Sequence, residues 1–209
     1  YPDVLSAIES LGYPSEKVRV LIHQFVTVLK DGEPVKMSTR KANFISLDSL
    51  IDEVGPDVTR FFFIMRSMNS HLNFDLNLAK EQSDANPVFY IQYAHARCCN
   101  MLRRFEQDIK SIDSSVLNQL KNELESKITS KLLEFPEIIK KCSDSLEPQN
   151  ISNYLAELSS SFHSYYARER VIDPDNKTLT EARIYLVDSV RIVLRNGLNV
   201  LGVSAPEKM

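Results

Sequence analysis

The chain has 209 residues, 43% of them hydrophobic and 25% charged, which suits a globular protein and excludes a collagenous, low-complexity or disordered one. A formal charge of -3 and a pI near 5.9 exclude a global attraction to polyanions, so any nucleic-acid contact must come from local Lys and Arg clusters. No apolar run approaches the roughly 18 residues of a membrane span, which excludes a transmembrane helix.

Low Gly and long stretches of Leu, Ile, Lys and Glu favour helices. Three cysteines without Cys-x-x-Cys or Cys/His spacing imply no disulfide framework and no metal site, and point to a reduced, cytoplasmic setting. Tyr1 is followed by no signal-peptide pattern and reads as an internal position of a longer chain. Asp3 to Leu11 reads as a short helix with Asp3 as cap and Gly12 as terminator. Val18 to Leu29 is a β-branched run that predicts a strand, and Asp31-Gly32 predicts a hairpin turn into Pro34-Val35. Ser46 is the expected cap of a helix ending at Gly55, and Pro56 or Asp57 starts another through Arg66. The alternation over Ser70–Leu76 fits a short strand or a packed loop.

From about Leu76 onward only helical patterns occur, which puts a domain junction there. Asn86-Pro87 is a cap followed by Pro at the first helical position, and the helix should run to about Glu106. Its core stripe is Val88, Ile91, Ala94, Cys98, Met101 or Leu102, and Phe105. Beside it runs a second stripe of Tyr90, Tyr93, Arg97, Asn100 and Arg104, whose aromatics and cations could stack bases and hold phosphates, or simply complete a wide core face. Asp113 or Ser114 caps the next region, whose face of Leu117, Leu120, Leu124, Ile128 and Leu132 predicts one helix, kinked or restarted at Pro136. Pro148 opens a further helix with Ile151, Leu158, Phe162 and Tyr165 buried. Thr178 or Thr180 begins the last, which is apolar on most sides, central to a bundle, and ended by Gly202.

Between the hairpin and Ser46 lies Lys36-Met37-Ser38-Thr39-Arg40-Lys41-Ala42-Asn43-Phe44, a short cationic stretch able to hold a phosphate chain. Its order resembles the Lys-Met-Ser-Lys-Ser loop of class I aminoacyl-tRNA synthetases. Together with Ser70–Asp75, Asn86–Arg97 and Leu201–Met209, it resembles the arginyl-tRNA synthetase family in particular, over nearly the whole chain.

That resemblance implies an ATP-dependent ligase that joins arginine to its tRNA through arginyl-adenylate. It implies a mainly α fold, with residues 1–75 as the C-terminal part of a Rossmann-type class I catalytic domain and 76–209 as an all-helical anticodon-binding bundle of the Asp-Ala-Leu-Arg (DALR) type. Catalytic residues are then Lys36, Met37, Ser38, Thr39 and Arg40, with Lys36, Ser38, Arg40 and Lys41 on ATP. The tRNA-binding residues are Tyr90, Tyr93, Arg97, Arg104, Tyr166 and Met209, with Phe162 to Tyr166 facing the anticodon. ATP with Mg2+ enters as substrate, with no tightly bound cofactor in this chain. Partners are arginine tRNA, arginine and ATP, without membrane, for a monomer.

Two departures follow. None of the four histidines lies in the family's His-x-Gly-His motif, so this polypeptide alone is expected not to activate arginine. Thr39 stands where the class signature has its second lysine; Arg40 or Lys41 could supply the missing charge. A different class of reading, a non-catalytic RNA-binding or assembly module derived from a synthetase, has no use for Lys36 and its hairpin. A cysteinyl-type synthetase is disfavoured by the Ala205–Met209 ending.

Overall fold

The computed structural model describes residues 1–35, 45–105 and 107–209. Helix α1 (Pro2–Ser10) begins one residue before the expected cap: Tyr1 takes the N-cap position without a side-chain bond, and Asp3 falls inside the first turn. The strand expected over 18–29 is reduced to β1 (Val26–Lys30). Val18, Val20, Leu21 and Ile22 are exposed coil, and Phe25 is 85% exposed. A β-branched run becomes a strand only where a ladder is available. Here β1 lies between the short β2 (Glu33–Pro34, antiparallel) and β3 (Leu72–Asp75, parallel, Val26 opposite Leu72), and neither extends further back.

The turn between β1 and β2 has positive φ at both central residues, 53° at Asp31 and 79° at Gly32, the mirror-image geometry that matches strand twist. Within the alternating Ser70–Leu76 segment, Leu72–Asp75 is a strand, with Leu72 and Phe74 buried.

The crossover from β2 to β3 contains α2 (Leu47–Val54) and α3 (Pro56–Ile64). Ser46 caps α2 by accepting from Ser49 N–H, and Gly55 ends it at φ 85°. α3 stops two residues short of Arg66, with Phe62 and Phe63 against Phe74 of the sheet. The short α4 (Leu76–Lys80), capped by Asp75, packs on β1, β3, α2 and α3.

The remaining helices form a bundle: α5 (Pro87–Arg104), α6 (Glu123–Ser145), α7 (Gln149–Arg168) and α8 (Lys177–Leu201). Asn86 caps α5 as its sequence predicts, accepting from Val88 and Phe89 N–H. The single helix expected from residue 114 is two elements instead. Asp113 caps a 3-10 turn, Ser114–Gln119, and α6 starts afresh from a capping box in which Asn122 accepts from Leu124 N–H and Glu125 accepts from Asn122 N–H. Helix α6 runs unbroken through Pro136. One lost bond and a ring clash cost about 3 kcal/mol, and packing of α6 on α7 and α8 offsets that cost. Helix α8 starts at Lys177, with Asn176 rather than a threonine as its cap. Thr180 instead bonds both the N–H and the C=O of Asp173, closing the preceding loop.

Helix α8 is central and packs on α5, α6 and α7. A Cβ on Gly197 would sit 2.6 Å from Leu155 Cδ2, so this glycine permits the close approach of α7 and α8. A buried ion cluster ties three helix ends together. Arg183 of α8 donates through Nε to Glu125 (2.8 Å), through Nη2 to Glu169 (2.8 Å) and through Nη1 to the Arg170 carbonyl (2.9 Å).

Candidate nucleic-acid interface

Tyr93 and Arg97 are four residues apart on α5 and therefore lie on one face. Arg97 Nη2 donates to the Tyr93 hydroxyl at 2.8 Å. The guanidinium lies over two rings at once, 4.5 Å from the Tyr93 centroid and 4.5 Å from that of Tyr166 on α7.

Behind this clamp stands His163, three residues before Tyr166 on α7. Its Nδ1 meets Arg97 Nη1 at 3.3 Å, and its Nε2 meets the Tyr90 carbonyl at 3.4 Å. A guanidinium only donates and a carbonyl only accepts, so the network dictates a neutral imidazole with its proton on Nε2. Burial, the largest influence, pushes the His163 pKa below its ordinary value. The ring also packs on Tyr90, with centroids 4.6 Å apart, and stacks with Tyr93 at 5.9 Å.

The third wall is the C-terminal tail. After Gly202 (φ 69°) the chain turns and runs back along α5. Arg60 of α3 donates to the Leu201 carbonyl at 2.7 Å. Asp57 accepts from Ser204 N–H and Gln92 of α5 donates to the Ser204 carbonyl. The buried His95 bonds the Pro206 carbonyl through Nδ1 at 2.9 Å, so that nitrogen carries its proton, and burial pushes its pKa down. Arg103 donates to the Glu207 carbonyl at 3.1 Å. These bonds place Lys208 and Met209 beside Tyr93, Arg97 and Tyr166.

The result is a cleft of about 510 Å³ with Tyr93, Ala96, Arg97, Asn100, Arg103, Tyr166 and the tail residues Glu207, Lys208 and Met209 in its walls. That volume lies within the range of small-molecule pockets. Two aromatic rings, a fixed guanidinium and a thioether can hold a splayed-out base, and nearby cations can hold its phosphates.

Of the expected RNA contacts, Tyr93, Arg97, Tyr166 and Met209 converge here. Tyr90 packs behind the cleft on His163, and Arg104 is exposed on the last turn outside it. Arg103 takes the place at the cleft that the helical stripe suggested for Arg104. It lies on the Ala96 side of α5, where the tail runs, and nothing in the periodicity of α5 announces the path of the tail. Lys36, Met37, Ser38, Thr39, Arg40 and Lys41 lie outside the described residues. Among the described residues no group of three or more His, Cys, Asp or Glu could hold a metal ion, and no helix is long and apolar enough to cross a membrane.

A helical bundle packed on a small mixed sheet, with an aromatic and cationic cleft, defines a helical module attached to an α/β unit. The chain belongs to the family of the DALR anticodon binding domain, which matches residues 91–209. Among curated relatives it is 48% identical to the arginine–tRNA ligase of Salinibacter ruber and 49% identical to that of Chlorobium limicola. All of this chain is covered in both, against 37% and 38% of those proteins, so it spans well under half of their length. A Campylobacter jejuni crystal structure assigned as an arginyl-tRNA synthetase superposes with a TM-score of 0.85 at 28% identity, over 100% of this chain and 45% of that one. The Thermus thermophilus arginyl-tRNA synthetase shares the fold, with a TM-score of 0.73 at 24% identity over 99% of this chain and 38% of that one.

Proposed function

We propose that this chain is part of an arginine–tRNA ligase and that its bundle binds the anticodon region of arginine tRNA. The observation that carries this reading is the Arg97 guanidinium fixed between Tyr93 and Tyr166 in an open cleft. A binding group already held in place loses little freedom when a ligand arrives. An anticodon base entering the cleft stacks on the tyrosine faces and meets the guanidinium edge. Lys208 and Arg103 in the cleft wall offer positive charge for the phosphates.

In the longer enzyme, ATP with Mg2+ and arginine are the substrates. The arginine carboxylate attacks the α-phosphorus in line and pyrophosphate leaves. The protein's task there is positioning and neutralisation of charge, which suits the cationic segment Lys36–Lys41. The proposal includes Lys36, Ser38, Arg40 and Lys41 on the ATP phosphates, a monomeric enzyme, and a cytoplasmic location. The sequence puts the seam between the catalytic part and the bundle at 75/76; the packing of α4 on β1, β3, α2 and α3 supports a seam one short helix later, at 81–86.

A band-shift comparison of this chain with arginine tRNA and with an anticodon-substituted version tests the reading. Base–aromatic stacking contributes about 1–3 kcal/mol per base, so the substituted tRNA should bind about tenfold more weakly or worse. Equal affinity for the two would reject recognition of the anticodon.

A further inference from the structure

His163 does not line the cleft. It stands directly behind Arg97, and among the described residues it and the Tyr93 hydroxyl are the hydrogen-bond partners of that guanidinium. We infer that His163 is a positioning residue whose neutral Nε2–H imidazole seats Arg97 between Tyr93 and Tyr166, and whose protonation at Nδ1 unseats it and weakens RNA binding. This rests on the proposed RNA-binding role of the cleft.

The neutral ring offers Arg97 a lone pair on Nδ1. The imidazolium has none, and its Nδ1–H would face Arg97 Nη1–H at 3.3 Å with like charge. The ring has no escape by turning over, because the Tyr90 carbonyl holds Nε2–H in both protonation states. Other rings packed on it are Tyr90 and Tyr93 from α5 and Phe162 from α7, which bring neither a carboxylate nor a cation. Asp84, in the turn before α5, is a carboxylate that favours the imidazolium, as does the Tyr90 carbonyl. Burial outweighs both and Arg97 adds to it, so the ring stays neutral at pH 7 and takes its proton on the acid side of its ordinary value. The sign is diagnostic: added positive charge ordinarily strengthens RNA binding as pH falls, whereas unseating Arg97 weakens it.

The experiment measures binding of an arginine anticodon stem-loop by fluorescence anisotropy between about pH 8 and about pH 5.5, the window in which histidine titrates. Wild type should lose about tenfold in affinity toward acid, the scale of one charged hydrogen bond. His163→Gln keeps an acceptor for Arg97 and does not titrate, so it should bind like wild type at the alkaline end and hold that affinity in acid. His163→Leu has no acceptor and should be weak throughout. Parallel pH profiles for wild type and His163→Gln would overturn the inference.

The imidazole 15N shifts and the Arg97 guanidinium signals supply a readout without RNA. An Nε2–H ring at neutral pH, with Arg97 signals moving as His163 titrates, supports the seating of Arg97 by His163 independently of RNA; a stem-loop that fails to bind at any pH would sink the RNA-binding reading and with it the RNA half of the inference. An Nδ1–H ring, or Arg97 signals indifferent to the titration, would overturn it.

Discussion

Arg97 shows how much depends on the shape of one side chain. A guanidinium can sit over Tyr93 and Tyr166 while its several N–H groups donate to the Tyr93 hydroxyl and His163; a lysine ammonium is a point charge with no plane. Arg97→Lys should therefore recover little of the stem-loop affinity lost in Arg97→Ala, a loss of about tenfold or more. Binding titrations of both variants, alongside circular dichroism to verify folding, check this; full recovery with lysine would reduce the role of Arg97 to charge. The pairing of Tyr93 with Arg97 was legible in the sequence, because four-residue spacing on a helix fixes a shared face. Its pairing with Tyr166 was not, because the facing of α5 and α7 is a tertiary property that single-helix periodicity does not contain. The same limit applies to Arg103, whose role depends on where the tail lies.

At the scale of elements, the bundle is held by apolar faces and by one buried charged junction. Glu125 is 1% exposed, and Arg183 satisfies it while tying the start of α6 to the end of α7. Arg183→Leu leaves that carboxylate buried without its cation and should cost about 3–5 kcal/mol, read as a lower urea midpoint. Replacing both partners, Glu125→Leu with Arg183→Met, should return much of that loss, since the desolvation penalty disappears with the charge. A double variant no more stable than Arg183→Leu would argue that the junction stabilises through its geometry. Helix starts were legible where a capping residue directly precedes an apolar periodic run, as at Ser46 and Asn86. They were missed at Asn122 and Asn176. At Asn122 the apolar periodicity continues across a real break in the backbone, so the pattern alone joined a 3-10 turn to α6. The overlong strand at 18–25 failed for the complementary reason: propensity was present and a pairing partner was not.

For the whole molecule, the tail is what joins the sheet-bearing part to the cleft. It is clasped by Asp57 and Arg60 of α3 and by Gln92, His95 and Arg103 of α5, and only then reaches Lys208 and Met209. Gly202 makes that course possible. At φ 69°, with an added Cβ only 2.5 Å from Arg60 Nε, alanine is disfavoured by conformation and by contact. Gly202→Ala should lower stability by about 1–2 kcal/mol and weaken stem-loop binding through a displaced tail. Lost stability with unchanged binding would separate the tail from the cleft. The central claim is that one anticodon base enters the cleft formed by Tyr93, Arg97, Tyr166 and Met209. A double cycle tests it most directly, combining an abasic substitution at each anticodon position in turn with Tyr93→Ala and measuring all four affinities. The account predicts one position at which the two losses are not additive, because base and ring are the same contact removed twice. Strict additivity at every anticodon position would contradict it.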